Sequence, residues 1–310
     1  MQAILQGGIE IMKDSLEHVF QNRLNTIAEK FKANYSGANS LSNLPKEQVY
    51  KHVSRYSCAG SDCANADEAF RIDISKAEVY CVKNGIWQEF LVRKLFKYDV
   101  DYFEDIPVIN RSKDIFRQHR SDFGEEDGKS TREERLCRYL CSRQKTAFPS
   151  ITLYDYQVPI KNTSQDTGCG KIDLVGVSND GGEMVILEYK KPKSPEPLLR
   201  AVTEIVTYYH QIGGKNGAKT YLEHFNKTFG LNCIKVRLAV VVPRDMYRTA
   251  HRYAFDLIAK YDILCYAWDK NEPPFRLSQT CIERNRKMSE DNMQFVYEHS
   301  DDIMQALKND

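Results

Sequence analysis

Two apolar stretches separated by a polar turn dominate the middle of the chain. Ile172 to Val177 is apolar and β-branched apart from Asp173 and Gly176; residues 178–182 read Ser-Asn-Asp-Gly-Gly; Met184 to Tyr189 is a second apolar run that carries Glu188 and leads into Lys190. This pattern predicts a β-hairpin. With Asp180-Gly181 at the centre of a two-residue turn, residues whose numbers sum to 361 face each other, and Asp173 faces Glu188. Opposed residues have Cβ atoms about 4.5–5.5 Å apart, so the two carboxylates converge. Lys190, two residues beyond Glu188, projects from the same face. Val185-Ile186-Leu187 is the kind of run that a buried strand carries.

Elsewhere the pattern changes period. Ile11, Leu16, Val19, Phe20, Leu24, Ile27 and Phe31 recur at helical spacing and predict a long amphipathic helix over 9–32, whose apolar stripe serves packing or a homodimer contact. Residues 35–66 are rich in Ser, Asn, Gly and Ala around one short helix near Lys46 to Tyr56, and 69–109 shifts toward strands, with a helical or mixed piece at 87–96. The charged stretch Ser121 to Lys129 predicts a solvated linker. Beyond it the order is regular: helix 130–144, strands 152–160, 171–178 and 184–191, helix 196–212, strand 235–242, helix 246–260, strand 263–268. The chain thus divides into an N-terminal α+β region (1–125) of unassigned role, an α/β domain (126–275) of order α-β-β-β-α-β-α-β, and a C-terminal helical tail (276–310).

Composition narrows the class. Of 310 residues, 42% are apolar and 28% charged, as in a globular protein. No apolar run is long enough to cross a bilayer and the N-terminus lacks a signal-peptide pattern, which predicts a cytoplasmic protein without a membrane partner. The nine cysteines contain no CxxC pair, so reduced thiols are expected. A net charge of +1 excludes an overwhelmingly basic nucleic-acid binder and leaves room for a local basic patch. Lys190-Lys191-Pro192-Lys193, with Arg200 further on, is such a patch, suited to phosphates through counterion release.

Two carboxylates facing each other in an apolar hairpin repel, and a cation between them relieves the repulsion. An all-oxygen site of this kind suits Mg²⁺ or Mn²⁺. Asp173 followed after a turn by Glu188-Tyr189-Lys190 resembles the PD-(D/E)XK nuclease superfamily, in which an Asp, an acid and a Lys on such a hairpin bind a divalent metal; Ile172 stands where the family's Pro often precedes the Asp. The resemblance covers about residues 130–268 and implies a restriction-endonuclease-like core, a mixed sheet flanked by helices. It also implies roles. Asp173, Glu188, the Tyr189 backbone carbonyl and a helix glutamate hold the metal, and Lys190 orients water or stabilises the transition state. The helix glutamate is Glu133, which shares a face with Leu136 and Leu140; Glu134 is next, and a capping role for either, through Ser130 or Thr131, is the third reading. Glu204 and Tyr208 match the family's Gln-x-x-x-Tyr pattern with Glu in place of Gln, and Gln157 is a lesser supporting candidate.

The expected function is therefore a divalent-metal-dependent nuclease acting on nucleic acid, foremost DNA, in restriction, phage defence, repair or recombination. The alternatives are a catalytically silent binding module on the same fold and an unrelated α/β protein with a chance acid-x-Lys hairpin.

Overall fold

The computed structural model describes residues 46–57, 92–116, 133–143, 147–163, 165–166, 169–192, 194, 196–268 and 274–298. The expected helix over 9–32, the strand-like pattern before residue 92 and the linker at 121–129 lie outside them. The described elements are helix α1 (Lys46–Ser57), a π-helical turn (Val92–Phe96), α2 (Glu133–Arg143), strands β1 (Ile151–Pro159), β2 (Lys171–Ser178) and β3 (Glu183–Tyr189), α3 (Leu198–Gln211), α4 (Lys219–Phe229), β4 (Lys235–Pro243), α5 (Arg244–Arg248), α6 (Arg252–Lys260), β5 (Leu264–Trp268), β6 (Phe275–Arg276) and α7 (Gln279–Glu298).

The strands form one mixed sheet in the order β1-β2-β3-β4-β5-β6. β1, β2 and β3 run antiparallel to one another, β3, β4 and β5 run parallel, and β6 returns antiparallel on β5. Each parallel step is a strand, a helical crossover and a strand, as parallel pairing requires. Both faces of the sheet are therefore covered, and the alternation along β3 shows it: Met184 and Ile186 join one buried cluster with α3 and α6, whereas Val185, Leu187 and Tyr189 join another with α2. Full burial of each such side chain contributes about 1.5–3 kcal/mol relative to exposure. That gain is what lets the hairpin carry carboxylates at its far end.

The hairpin has the expected register and a different turn. Leu174 pairs with Leu187, Val175 with Ile186, Gly176 with Val185 and Val177 with Met184, and every pair sums to 361. The Gly181 amide donates to the Ser178 carbonyl at 2.7 Å, so the β-turn is centred on Asn179-Asp180. The strands close at Ser178 and Glu183 around the loop 179–182, which widens the turn by one residue on each side and leaves the sum unchanged. Gly181 sits at φ 78°, where an L side chain is strained, and the Asp180 carboxylate accepts from the Ser178 hydroxyl at 2.5 Å and the Gly182 amide at 3.0 Å.

Three expectations need correction. The chain between 212 and 235, assigned no element, contains α4; Tyr221, Leu222 and Phe225 bury one face of it, and Gly230 ends it at φ 67°. The helix expected over 246–260 is two helices, because His251 is extended and caps α6 by accepting the Tyr253 amide on Nδ1 at 3.0 Å. The division at 275/276 falls inside β6, and α7 packs on α5 and α6, with Ile282 in the core and Arg286 paired to Asp256 at 2.6 Å. On the N-terminal side, Val49, Tyr50, Val53, Phe96 and Phe103 belong to the same buried cluster as α3 and α6. Among the described residues no helix is long and apolar enough to cross a membrane.

Gly176 fixes the approach of β1 to β2. A Cβ there would lie 2.6 Å from Ile151 Cγ2 and 2.7 Å from the Thr152 carbonyl oxygen. Since the second neighbour is backbone, Gly176→Ala must displace a strand, and a destabilisation of about 1–3 kcal/mol is expected from overpacking. A urea titration of the variant beside wild type checks it.

Candidate functional site

The end of β3 is where the hairpin, α2 and α3 meet. Beyond the Leu174–Leu187 pair, where the β2–β3 register ends, Asp173 and Glu188 lie close enough for Asp173 to raise the proton affinity of Glu188. Asp173 is held from β3 and from β1. Asp173 Oδ2 accepts the Tyr189 amide at 3.0 Å, and Oδ1 accepts the Gln157 side-chain amide at 2.7 Å. Gln157 reaches it because β1 is irregular: its register shifts between Leu153 and Asp155, and Gln157 itself sits at φ 50°. A left-handed conformation of this kind costs a non-glycine residue about 1–3 kcal/mol and clusters at functional sites. Gln157 is thus a direct partner of Asp173.

Glu188 is buried and its Oε1 lies 2.8 Å from Lys190 Nζ. The Lys190 ammonium also meets Glu196 Oε2 at 2.8 Å and Glu204 Oε2 at 3.1 Å, and the side chain is 5% exposed. Three carboxylates thus surround one ammonium. Arg200, one turn before Glu204 on α3, approaches Glu204 at 3.2 Å and Glu196 at 4.0 Å. Tyr208, one turn after it, donates its hydroxyl to Glu204 Oε1 at 2.7 Å. The i, i+4 spacing that puts helix neighbours on one face places Arg200, Glu204 and Tyr208 in a single row against the strand end, and Glu196, just before the helix begins at Leu198, joins them there. From α2, Glu133 accepts the Lys191 amide at 3.2 Å, while Glu134 is exposed. Of the two glutamates it is Glu133 that reaches the strand end.

The basic run resolves less uniformly. Arg200, expected to contact phosphate, is 12% exposed and turned inward onto Glu196 and Glu204, with its guanidinium 4.3 Å from the Tyr50 ring centroid. Two buried acids and an aromatic face outcompete solvent for it. Lys191 is partly buried, and Lys193 lies outside the described residues. Two members of the site had not been expected, Glu196 and Tyr50. Glu196 was legible in the spacing Glu196-x-x-x-Arg200-x-x-x-Glu204; Tyr50, on a helix 158 residues from its partner Tyr208, had no sequence signal.

The electrostatics separate the acids into two groups. Burial raises the proton affinity of Glu204, but Arg200 and Lys190 outweigh it and hold the carboxyl down at about 2. Glu196 is likewise held below its ordinary value, burial being outweighed by Lys190 and Arg200. Burial pushes Asp173 up to about 7 against the pull of Lys190, with Glu204 and Glu133 adding repulsion. Glu188 is raised well above its ordinary value by burial, then by Asp173 and Glu204. Glu133 is raised by burial. Lys190 stays charged: burial works against the ammonium, and Glu188, Glu204 and Glu196 together prevail. Among the described residues, Lys190 and Arg200 thus hold Glu196 and Glu204 down, whereas Asp173, Glu133 and, despite its 2.8 Å contact with Lys190, Glu188 are raised.

Acids raised in this way fit a hard divalent cation. Among the described residues no three His, Cys, Asp or Glu side chains are placed to hold a metal ion together. Mg²⁺ does not need three, since it keeps several waters and binds through one or two carboxylates. Asp173 and Glu188 would supply these, with the carbonyl of Tyr189, the residue after Glu188, and Glu133 alongside.

The raised proton affinity of Asp173 has a testable sign. Below about pH 4 the folded and unfolded chains both hold its proton; between about 4 and about 7 the folded chain alone does. Stability from this group therefore falls as pH rises through that window and is constant above it. In EDTA, Asp173→Asn is expected to match the wild-type melting temperature near pH 4 and to exceed it by a few degrees near pH 8, measured by thermal melts across the range.

Compared with protein families, curated proteins and solved structures, the chain matches none.

Proposed function

We propose that this protein is a divalent-metal-dependent nuclease that hydrolyses phosphodiester bonds, with DNA as the foremost substrate. The observation that carries the reading is the meeting of Asp173, Glu188 and Lys190 at one strand end, with Glu133 beside them and the proton affinity of these acids raised. The residues that carry the sequence resemblance sit on a six-stranded mixed sheet flanked by helices. Restriction, phage defence, repair and recombination are the settings such a nuclease in the cytoplasm serves, and a homodimer is compatible with them.

Mg²⁺ or Mn²⁺ held by Asp173, Glu188, the Tyr189 carbonyl and Glu133 would supply Lewis-acid activation of a phosphodiester and of water. The chain's own residues do the rest. Gln157 and the Tyr189 amide fix the Asp173 carboxylate, so its oxygens are oriented before any ligand arrives. Lys190, kept as an ammonium by Glu188, Glu204 and Glu196, is a donor already fixed in place for negative charge that develops on the phosphoryl oxygens. Tyr208 holds Glu204 at its distance from Lys190.

One observation favours the rival reading of a catalytically silent binding module. Lys190 is nearly sequestered by three carboxylates, as in a buried ion network whose role is structural. Incubation with plasmid and single-stranded DNA in Mg²⁺, Mn²⁺ or EDTA separates the two. Metal-dependent cleavage is expected in wild type, and Asp173→Ala and Glu188→Ala are expected to abolish it while remaining folded. Mg²⁺ should raise the wild-type melting temperature by mass action and leave that of Asp173→Ala unchanged. An equal shift in both would place the ion elsewhere.

Lys190→Ala separates chemistry from binding. Its single-turnover rate in Mg²⁺ is expected to fall by about 10²–10³, the scale of losing one fixed donor, with DNA affinity in Ca²⁺ little changed. A loss of affinity with a salt slope reduced by about one unit would instead make Lys190 a phosphate contact.

A further inference from the structure

Lys190 owes its place to Glu196 and Glu204, and those two owe theirs to Arg200, so the question is what holds Arg200. Its guanidinium is buried, and among the described residues neither Nε nor Nη1 finds a hydrogen-bond acceptor. The ion pairs to Glu204 at 3.2 Å and Glu196 at 4.0 Å supply charge without that geometry, and only Nη2 donates, to Glu204 Oε1 at 3.3 Å. A guanidinium in this condition needs another partner. The Tyr50 ring, 4.3 Å from the guanidinium carbon, is that partner. Tyr50 touches the row at a second point as well: its hydroxyl lies 3.4 Å from that of Tyr208, which donates to Glu204. The two rings also meet edge to face, with centroids 5.7 Å apart. Tyr50 is 1% exposed and comes from α1, a helix far from the sheet in sequence that packs against α3.

We propose that Tyr50 is a positioning residue for Lys190, acting through Arg200 and Glu204, and that α1 is thereby part of the candidate site. This deepens the nuclease reading and gives the N-terminal part of the chain a role in it. The ring face stabilises the Arg200 cation without competing for its carboxylates. Arg200 then keeps Glu204 and Glu196 at the distance at which they hold the ammonium. Loss of the ring lets Arg200 move toward solvent, and Lys190 loses its fixed direction.

The test uses the full chain with Tyr50→Leu, which keeps an apolar side chain and removes the ring, Tyr50→Phe, which keeps the ring and removes the hydroxyl, and Val53→Ala, which loosens the same helix at a fully buried position. Two quantities are read. The first is acylation of Lys190 by acetic anhydride, quantified by mass spectrometry relative to the exposed Lys171. The second is single-turnover plasmid cleavage in Mg²⁺ at saturating protein, beside DNA affinity in Ca²⁺. Tyr50→Leu is expected to raise Lys190 acylation about tenfold and to lower the cleavage rate about tenfold, the scale of a desolvated cation–π contact, with affinity unchanged within about twofold. Tyr50→Phe is expected to restore both, and Val53→Ala to move neither. Equal changes in Tyr50→Leu and Val53→Ala would reduce Tyr50 to core packing and overturn the proposal, as would unchanged acylation in Tyr50→Leu. If wild type does not cleave, the nuclease reading fails, and acylation alone still decides for or against Tyr50 as the residue that positions Lys190.

Discussion

The constraint on which the rest of this structure turns is an imbalance of charge at the end of β3. Among the described residues, five carboxylates, Glu133, Asp173, Glu188, Glu196 and Glu204, share that region with two cations, Lys190 and Arg200. Removing charges from water is costly, and mutual attraction repays it only where hydrogen bonds satisfy the groups that remain. The fold meets this by division. Glu196 and Glu204 stay ionised beside the cations, and Asp173, Glu188 and Glu133 are raised. Acids arranged in this way are under electrostatic tension, and that tension is the observation on which the proposed metal-dependent function rests.

Packing makes that tension tolerable. Val185, Ile186 and Leu187 are fully buried on alternating faces of β3, and the parallel pairing with β4 continues through Glu188 to Tyr189. The strand is anchored on both sides up to the residue that carries the acid. Lys190 extends the anchoring by donating its amide to the Val241 carbonyl at 2.8 Å. The carboxylates and the ammonium are thus mounted on backbone whose own hydrogen bonds are satisfied. Freedom is confined to side chains, and these are tied to α3 and, through Tyr50, to α1.

The contrast between Glu188 and Arg200 bears on how charged motifs are interpreted. Both belong to patterns visible in the sequence, an acid-x-Lys triplet and a basic run. The triplet depends on the two-residue repeat of a strand, so Glu188 and Lys190 had to share a face once the strand existed. The basic run joins residues of different elements: Lys191 follows a strand, and Arg200 lies on a helix whose rotation is set by its apolar side. That side, with Val202, Ile205 and Val206 in the core, carries Arg200 inward to Glu204 and Tyr50. A charge cluster in one dimension became one half of a buried network in three.

The hairpin register and the chain order of the strands were determined by local chemistry: apolar alternation, a Gly-containing turn and a strand repeat that leaves little choice of face. A wider turn changed nothing, because it grew equally on both sides. What only the tertiary structure decided was everything that depends on elements distant in sequence. Gln157 reaches Asp173 through an irregular stretch of β1, Glu133 rather than Glu134 meets the strand end because α2 docks by its Leu136 and Leu140 face, and Arg200 turns inward. Tyr50 enters the site from α1. Periodicity reports which face of an element is apolar. It does not report which other element that face will meet, and the partners of a buried charge are settled by that meeting.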